Sequence, residues 1–248
     1  MSDVLMAGAT YRLRQKLLLP QSAKPRRKRS VADPSAFWRP GQTLRVSFIG
    51  TPCPWLEKAV FDTACQWLKY ANLTFEHLGN DVDEAEIRIQ TDVQEGVNFS
   101  LLGNQALNVE GATMALGVKL SDPLFETVVL HEFGHALGME HEHQHPQANI
   151  PWDLDAVRQL LATSLADEAK DRDHLDDLIE EELATQFLPL PDNGDLLILP
   201  YDRQSIMHYR IRQRFTHHDF KRSQNLKISQ KDKRFMRLVY PASCKQHG

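Results

Sequence analysis

The sequence predicts an α+β fold, on three observations. Short apolar or alternating runs recur between residues 43 and 119 around a single helical stretch. A second helical stretch, which stops at a glycine, carries histidines and a glutamate at fixed spacing. Strands around a helix ahead of it suggest an α/β N-terminal lobe, and beyond it the chain reads as helices and punctuated loop. At 248 residues the chain can form one substantial core, or one domain divided into two lobes by a cleft.

Composition excludes several classes. The net charge of -4 supplies no bulk electrostatic case for nucleic acid or an anionic membrane as partner. No apolar run approaches the ~20 residues that span a bilayer. Near the start, Arg12, Arg14 and Lys16 precede only leucines 17–19 before Pro20, so the apolar stretch of a signal peptide is missing. The chain is expected to be made in the cytoplasm and to act as a monomer, with signal-independent export left open. Its three cysteines, Cys53, Cys65 and Cys244, can close at most one disulfide, so the fold is expected not to depend on oxidation.

In chain order, residues 1–40 read as a flexible basic leader or pro-segment outside the core. Lys24, Arg26, Arg27, Lys28 and Arg29 form a basic run with prolines at 20, 25, 34 and 40 around it. A solvated leader is the plain reading; a translocation signal, a cleavable pro-segment or an anchor on an acidic surface are its alternatives. The folded domain is expected over residues 41–248. Leu44, Val46 and Phe48 alternate with Thr43, Arg45 and Ser47, which suits a half-buried strand over Thr43–Ile49. Residues 55–70 place Leu56, Val60, Phe61, Ala64, Trp67 and Leu68 at helical spacing. Residues 73–76 and 85–89 read as strands, the latter with Ile87 and Ile89 alternating with charged Glu86 and Arg88. Residues 99–102 and 112–119 are further short strands, separated by Gly103 and Gly111.

Asp122 and Pro123 read as the N-cap and first residue of a helix whose apolar band is Leu124, Val128, Phe133, Ala136 and Leu137. Within it His131, Glu132, His135, Gly138 and His141 spell H-E-x-x-H-x-x-G-x-x-H. Residues four apart share a helix face, so His131 and His135 can turn two imidazoles to one metal ion. Glu132 lies about 100° further round, close enough to reach a water beside the metal without being a ligand. Gly138 can take the left-handed conformation that ends a helix, and the returning chain can bring His141 as a third nitrogen. Three neutral imidazoles with an open position suit one catalytic zinc ion. An isolated H-E-x-x-H arises by chance in helices; the added glycine and histidine make chance a poor account. His143 and His145 compete for the third-ligand role, but the spacing from Gly138 favours His141. The other two are read as solvent-facing or as lying behind the ligands.

Asp153 is expected to cap a helix through Val157, Leu160, Leu161 and Leu165. Residues 167–182 carry a heavy acidic excess and read as a solvated helical surface, with selection of charged substrates as the lesser reading. Residues 188–200 form a proline- and glycine-punctuated loop. Ser229 and Asp232 can cap a last helix that turns Phe235, Met236 and Leu238 inward.

The stretch Ser205, Ile206, Met207, His208, Tyr209 is the second informative one. Alone it would be a core strand with a buried tyrosine. Downstream of the zinc motif, Met207 fits the Met-turn, an apolar floor beneath the imidazoles, and Tyr209 can bring its phenol to the metal. With these residues in hand the chain resembles the astacin-type zinc metallopeptidases of the metzincin clan. The resemblance is to bacterial members that continue with H-E-H-Q-H-P (here residues 141–146), I-P-W-D (150–153), S-I-M-H-Y (205–209), S-x-x-D-K (229–233) and Y-P (240–241). It covers residues 112–241 well and reaches back to residue 43.

The resemblance implies a zincin-like fold. Its N-terminal lobe, residues 41–138, would hold a mixed twisted sheet and helices. Its C-terminal lobe, residues 139–248, would be mainly helical or irregular, with the active-site cleft between them. It implies an endopeptidase with zinc on His131, His135 and His141, Glu132 as general base, and Tyr209 as a mobile fifth ligand that stabilises the oxyanion. It implies a protein or peptide substrate bound along an edge strand, placed here at Met114, Ala115, Leu116, Gly117 and Val118. Glu142 follows the third histidine, a position that in the family pairs with the freed N-terminus. The chain departs from the secreted members in lacking the cysteines for their paired disulfides and a clear aspartate latch before Thr43. Cys53 does not match a cysteine latch either and is read as a buried structural residue. The alternatives are a translocated effector or toxin metalloprotease with one narrow protein target, and a non-catalytic zinc-binding module. A further alternative takes the third ligand from the glutamates 180–182.

Overall fold

The computed structural model describes residue 32 and residues 34–190 and 197–242. The basic run at 24–29 and Cys244 lie outside the described residues. The architecture is α+β, as expected. Five strands form one sheet: β1 (Thr43–Ile49), β2 (Thr74–Asn80), β3 (Ile87–Gln90), β4 (Asn98–Ser100) and β5 (Met114–Leu116). Their order is β2-β1-β3-β5-β4, and every neighbouring pair is parallel except β4 against β5. The alternation in β1 works as its sequence predicts: Leu44, Val46 and Phe48 are fully buried. Helix α1 (Pro54–Ala64) continues as a 3-10 turn over Cys65–Lys69, which accounts for the helical spacing through residue 70. Helix α2 (Phe125–Ala136) packs between α1 and the β4–β5 side of the sheet. Trp67, Phe75, Val129, Phe133 and Leu137 join the β1 and β3 side chains in the main core.

Several expectations are corrected here. The segment just before β1 belongs to the core: Ala32, Ala36 and Trp38 are buried. The Trp38 indole N–H donates to the Ala136 carbonyl (2.8 Å), and the Tyr240 hydroxyl donates to the Leu137 carbonyl (2.9 Å). These bonds satisfy carbonyls that the end of α2 leaves without helical partners. Arg88 is not outward-facing. It is 5% exposed, and its guanidinium donates to the carbonyls of Ala85 (2.7 Å), Val109 (2.7 Å), Ala106 (3.4 Å) and Gly111. The 3-10 turn Gly103–Asn108 and the chain after it fold over that face of β3, so a strand that alternates like an exposed one is covered on both sides. Asp122 does not cap α2 directly; its carboxylate accepts from the Leu124 N–H in a turn ahead of the helix, which starts at Phe125. Cys53 is exposed, at the N-cap of α1, because the helix turns its first residue outward; Cys65 is half-buried and both are free thiols.

The C-terminal part has a smaller core of its own. Asp153 caps α3 (Leu154–Leu165) by accepting from the Ala156 N–H at 3.0 Å, and Asp171 caps α4 (Arg172–Gln186) by accepting from the His174 N–H at 2.8 Å. Between the helices lie Val157, Leu161, Leu165, Ile179, Leu183, Phe187 and Phe215. The acidic stretch is therefore solvated on one face only, since Ile179, Glu182, Leu183 and Gln186 are buried on the other. Helix α5 (Gln230–Val239) has the capping box that Ser229 and Asp232 predict. Phe235 and Met236 point inward, whereas Leu238, two residues on and about 200° round the helix, is 54% exposed. Among the described residues no helix is long and apolar enough to cross a membrane.

Candidate metal centre

Helix α2 places His131 and His135 one turn apart, both buried, with ring centroids 4.8 Å from each other. The helix stops because Gly138 takes φ of 89°, and the chain reverses to bring in His141. A side chain at 138 would be strained there, and its Cβ would meet the Phe37 ring at 2.7 Å. One donor nitrogen from each of His131, His135 and His141 lies within 4.8 Å of the others. Among the described residues this is the cluster of side chains that could hold a metal ion, and glutamates 180–182 are not in it.

Proton positions follow from the second ring nitrogens. His131 Nδ1 donates to the Ile206 carbonyl at 2.9 Å, and His135 Nδ1 donates to the Met139 carbonyl at 2.7 Å. A carbonyl can only accept, so the proton sits on Nδ1 and each Nε2 offers a lone pair. His131 Nε2 is buried without a hydrogen-bond partner. His135 Nε2 stands 3.0 Å from His141 Nε2. Two nitrogens bonded to tetrahedral zinc at ~2.05 Å lie about 3.3 Å apart, so the spacing of this pair fits that ion. Burial pushes the His131 imidazole down to about 4, which keeps it in the neutral form a metal requires.

Met207 lies beneath these rings. It is fully buried, and an added Cβ on Gly134, between the two helical histidines, would meet its sulfur at 2.4 Å. The segment is a turn, with the His208 N–H donating to the Ser205 carbonyl at 3.1 Å, so the strand that this stretch suggests in isolation does not form. The Glu142 N–H donates to the Met207 carbonyl at 3.1 Å, tying the third-ligand segment to the same turn. The Tyr209 ring stacks against His131 (5.4 Å, 18°) and His143 (4.7 Å, 24°) and lies tilted against His141 (4.2 Å, 43°). Glu132 follows His131 on α2 and is buried.

Of the two readings of His143 and His145, the solvent-facing one falls: both are buried. His143 Nε2 donates to the Gln186 carbonyl (2.7 Å), the Gln144 amide donates to the carbonyls of Thr185 (3.0 Å) and Leu188 (3.1 Å), and His145 Nε2 donates to the Leu199 carbonyl (2.7 Å). The residues after His141 therefore dock on the end of α4 and the chain beyond it. Burial pushes the His143 imidazole down to about 3. Glu142 accepts from the Asp202 N–H at 2.5 Å, and burial pushes its carboxyl up to about 8.

The substrate strand is also corrected. Met114, Ala115 and Leu116 lie between β3 and β4, with both sides of the strand paired. Gly117 bonds back to residues 96 and 97, and Val118 follows it, buried. The chain doubles back after β3, so the antiparallel β4 takes the outer position. Sequence reasoning brought His131, His135 and His141 together but did not find the buried bonds behind them; of these, only the Ser229–Asp232 capping pattern is readable in advance.

No family model matches this chain, and no curated protein sequence matches it. Solved structures do. The chain is 31% identical to myroilysin, covering 86% of this chain and 98% of that one with a TM-score of 0.72. A second myroilysin crystal structure gives 31% identity over 92% and 96% of the two chains, with a TM-score of 0.62. High choriolytic enzyme 1, a hatching enzyme zinc-protease from Oryzias latipes (Medaka fish), shares the fold at 18% identity. It covers 84% of this chain and 96% of its own, with a TM-score of 0.56.

Proposed function

The chain belongs to the astacin-type zinc metalloproteases, and from that membership we propose an endopeptidase in which His131, His135 and His141 hold one zinc ion beside Glu132. One observation carries the reading. Backbone carbonyls fix the protons of His131 and His135 on Nδ1, so the Nε2 lone pairs converge on the space that His141 completes. Zinc held there by the three histidines would supply Lewis acidity and would lower the pKa of an adjacent water toward ~7.

The remaining work falls to the chain's own groups. A Glu132 carboxylate oxygen takes a proton from the attacking water and returns it to the amine nitrogen that leaves. The Tyr209 hydroxyl donates to the substrate carbonyl oxygen as negative charge builds there, a task worth about 3 kcal/mol where comparable donors have been removed. The outer side of β4 offers backbone groups for an extended peptide, which would add as a further strand beside Asn98–Ser100. Protein or peptide is thus the substrate class.

Tyr209→Phe tests the active-site assignment. Phenylalanine keeps the ring against His141 and His143 but removes the donor. Turnover of a peptide substrate should fall about 100-fold, with zinc content per chain unchanged. An undiminished turnover would remove Tyr209 from the mechanism.

A further inference from the structure

Asp232 belongs to the last helix, yet its carboxylate is 2% exposed and reaches the turn beneath the histidines. Its Oδ1 accepts from the Ser205 hydroxyl at 2.6 Å, and its Oδ2 accepts from the Ile206 N–H at 2.9 Å and the Ser229 N–H at 2.8 Å. The Ile206 carbonyl is the one that takes the Nδ1 proton of His131. The Ser205 hydroxyl, oriented by Asp232, in turn accepts from the Met207 N–H at 3.0 Å. One carboxylate therefore holds the Ile206 N–H directly and, through the Ser205 hydroxyl, the Met207 N–H, which shares a peptide unit with the carbonyl that aims His131.

A helix cap alone does not need this arrangement. The Ser229 hydroxyl already accepts from the Lys231 and Asp232 N–H groups, and Asp232 answers with the Ser229 N–H. The bonds to Ser205 and Ile206 are additional, and they run to a segment more than twenty residues upstream. We propose that Asp232 is a positioning residue for the zinc site, holding His131 in its ligating orientation through the Ile206 peptide. The inference rests on the three-histidine zinc reading. Outer partners of ligating histidines are worth about 10- to 100-fold in metal affinity where they have been removed. Asp232 stands one peptide further back, so the lower end applies.

The test is zinc affinity, measured by competition with a chromophoric chelator, for wild type, Asp232→Ala, Asp232→Asn and Met236→Ala. Met236 is fully buried on the same helix, so its truncation weakens helix packing without removing a bond to the turn. Asparagine is nearly isosteric and keeps one acceptor, which guards against simple misfolding. The expected result is a loss of about 10-fold in affinity for Asp232→Ala, a smaller loss for Asp232→Asn, and an affinity within about 2-fold of wild type for Met236→Ala. The visible spectrum of the cobalt-substituted protein should shift in the two Asp232 variants and not in Met236→Ala. Equal affinity and an unshifted spectrum in Asp232→Ala would overturn the proposal, as would affinity that merely tracks stability across all variants. Absence of zinc binding by the wild type would instead sink the metal site itself.

Discussion

Replacing Glu132 with glutamine is expected to stop peptide hydrolysis while zinc stays in place. Glutamine matches glutamate in size, so the buried position on α2 and the neighbouring His131 should be undisturbed. It cannot take a proton from water at neutral pH. General bases contribute on the order of 10²–10⁴-fold, so turnover should fall about 1,000-fold or more. The glutamate is outside the cluster of potential ligands, so metal content should not change. Peptide cleavage and metal analysis on one preparation check both halves. Turnover within about 10-fold of wild type would show that Glu132 is not the base.

The largest stability effect is expected from Arg88→Leu, far from the metal. Arg88 serves four buried or part-buried carbonyls, that of Ala85 just before β3 and those of Ala106, Val109 and Gly111 in the segment held over it. Leucine fills part of the volume but donates nothing. Each buried acceptor left without a donor costs about 1–3 kcal/mol, less whatever water recovers as the loop loosens. A net loss of about 3–5 kcal/mol is expected, seen as a lower urea midpoint with little change in slope. Arg88→Lys should fall between, since one ammonium cannot reach as widely as the guanidinium fork. A loss below about 1 kcal/mol for leucine would mean that the carbonyls find other donors.

The contrast between these two residues shows how far the sequence could be read. The place of Glu132 is legible because it is tied to local spacing: one helix and one glycine reversal bring it and the histidines together. The caps at Asp153 and Ser229, and the inward side of β1, are legible for the same reason. Arg88 is not, because period-two alternation records which side a residue faces and not what later covers that side. The substrate strand fails similarly: residues 114–118 read as a strand, but their interior place depends on the antiparallel return of β4. Trp38 hides in a segment whose prolines and neighbouring basic run suggest a leader, though its indole closes the end of α2. His143 and His145 look polar in sequence, but their bonds to the 186 and 199 carbonyls exist only once α4 is in place.

The central claim is that three imidazoles from residues 131, 135 and 141 hold zinc. X-ray absorption at the zinc edge of the purified protein tests it most directly, with His141→Ala beside the wild type. The prediction is one zinc per chain with three imidazole nitrogens at ~2.0–2.1 Å, one of them lost in the variant along with most of the affinity. Sulfur at ~2.3 Å in the first shell, or a shell that His141→Ala leaves unchanged, would contradict it.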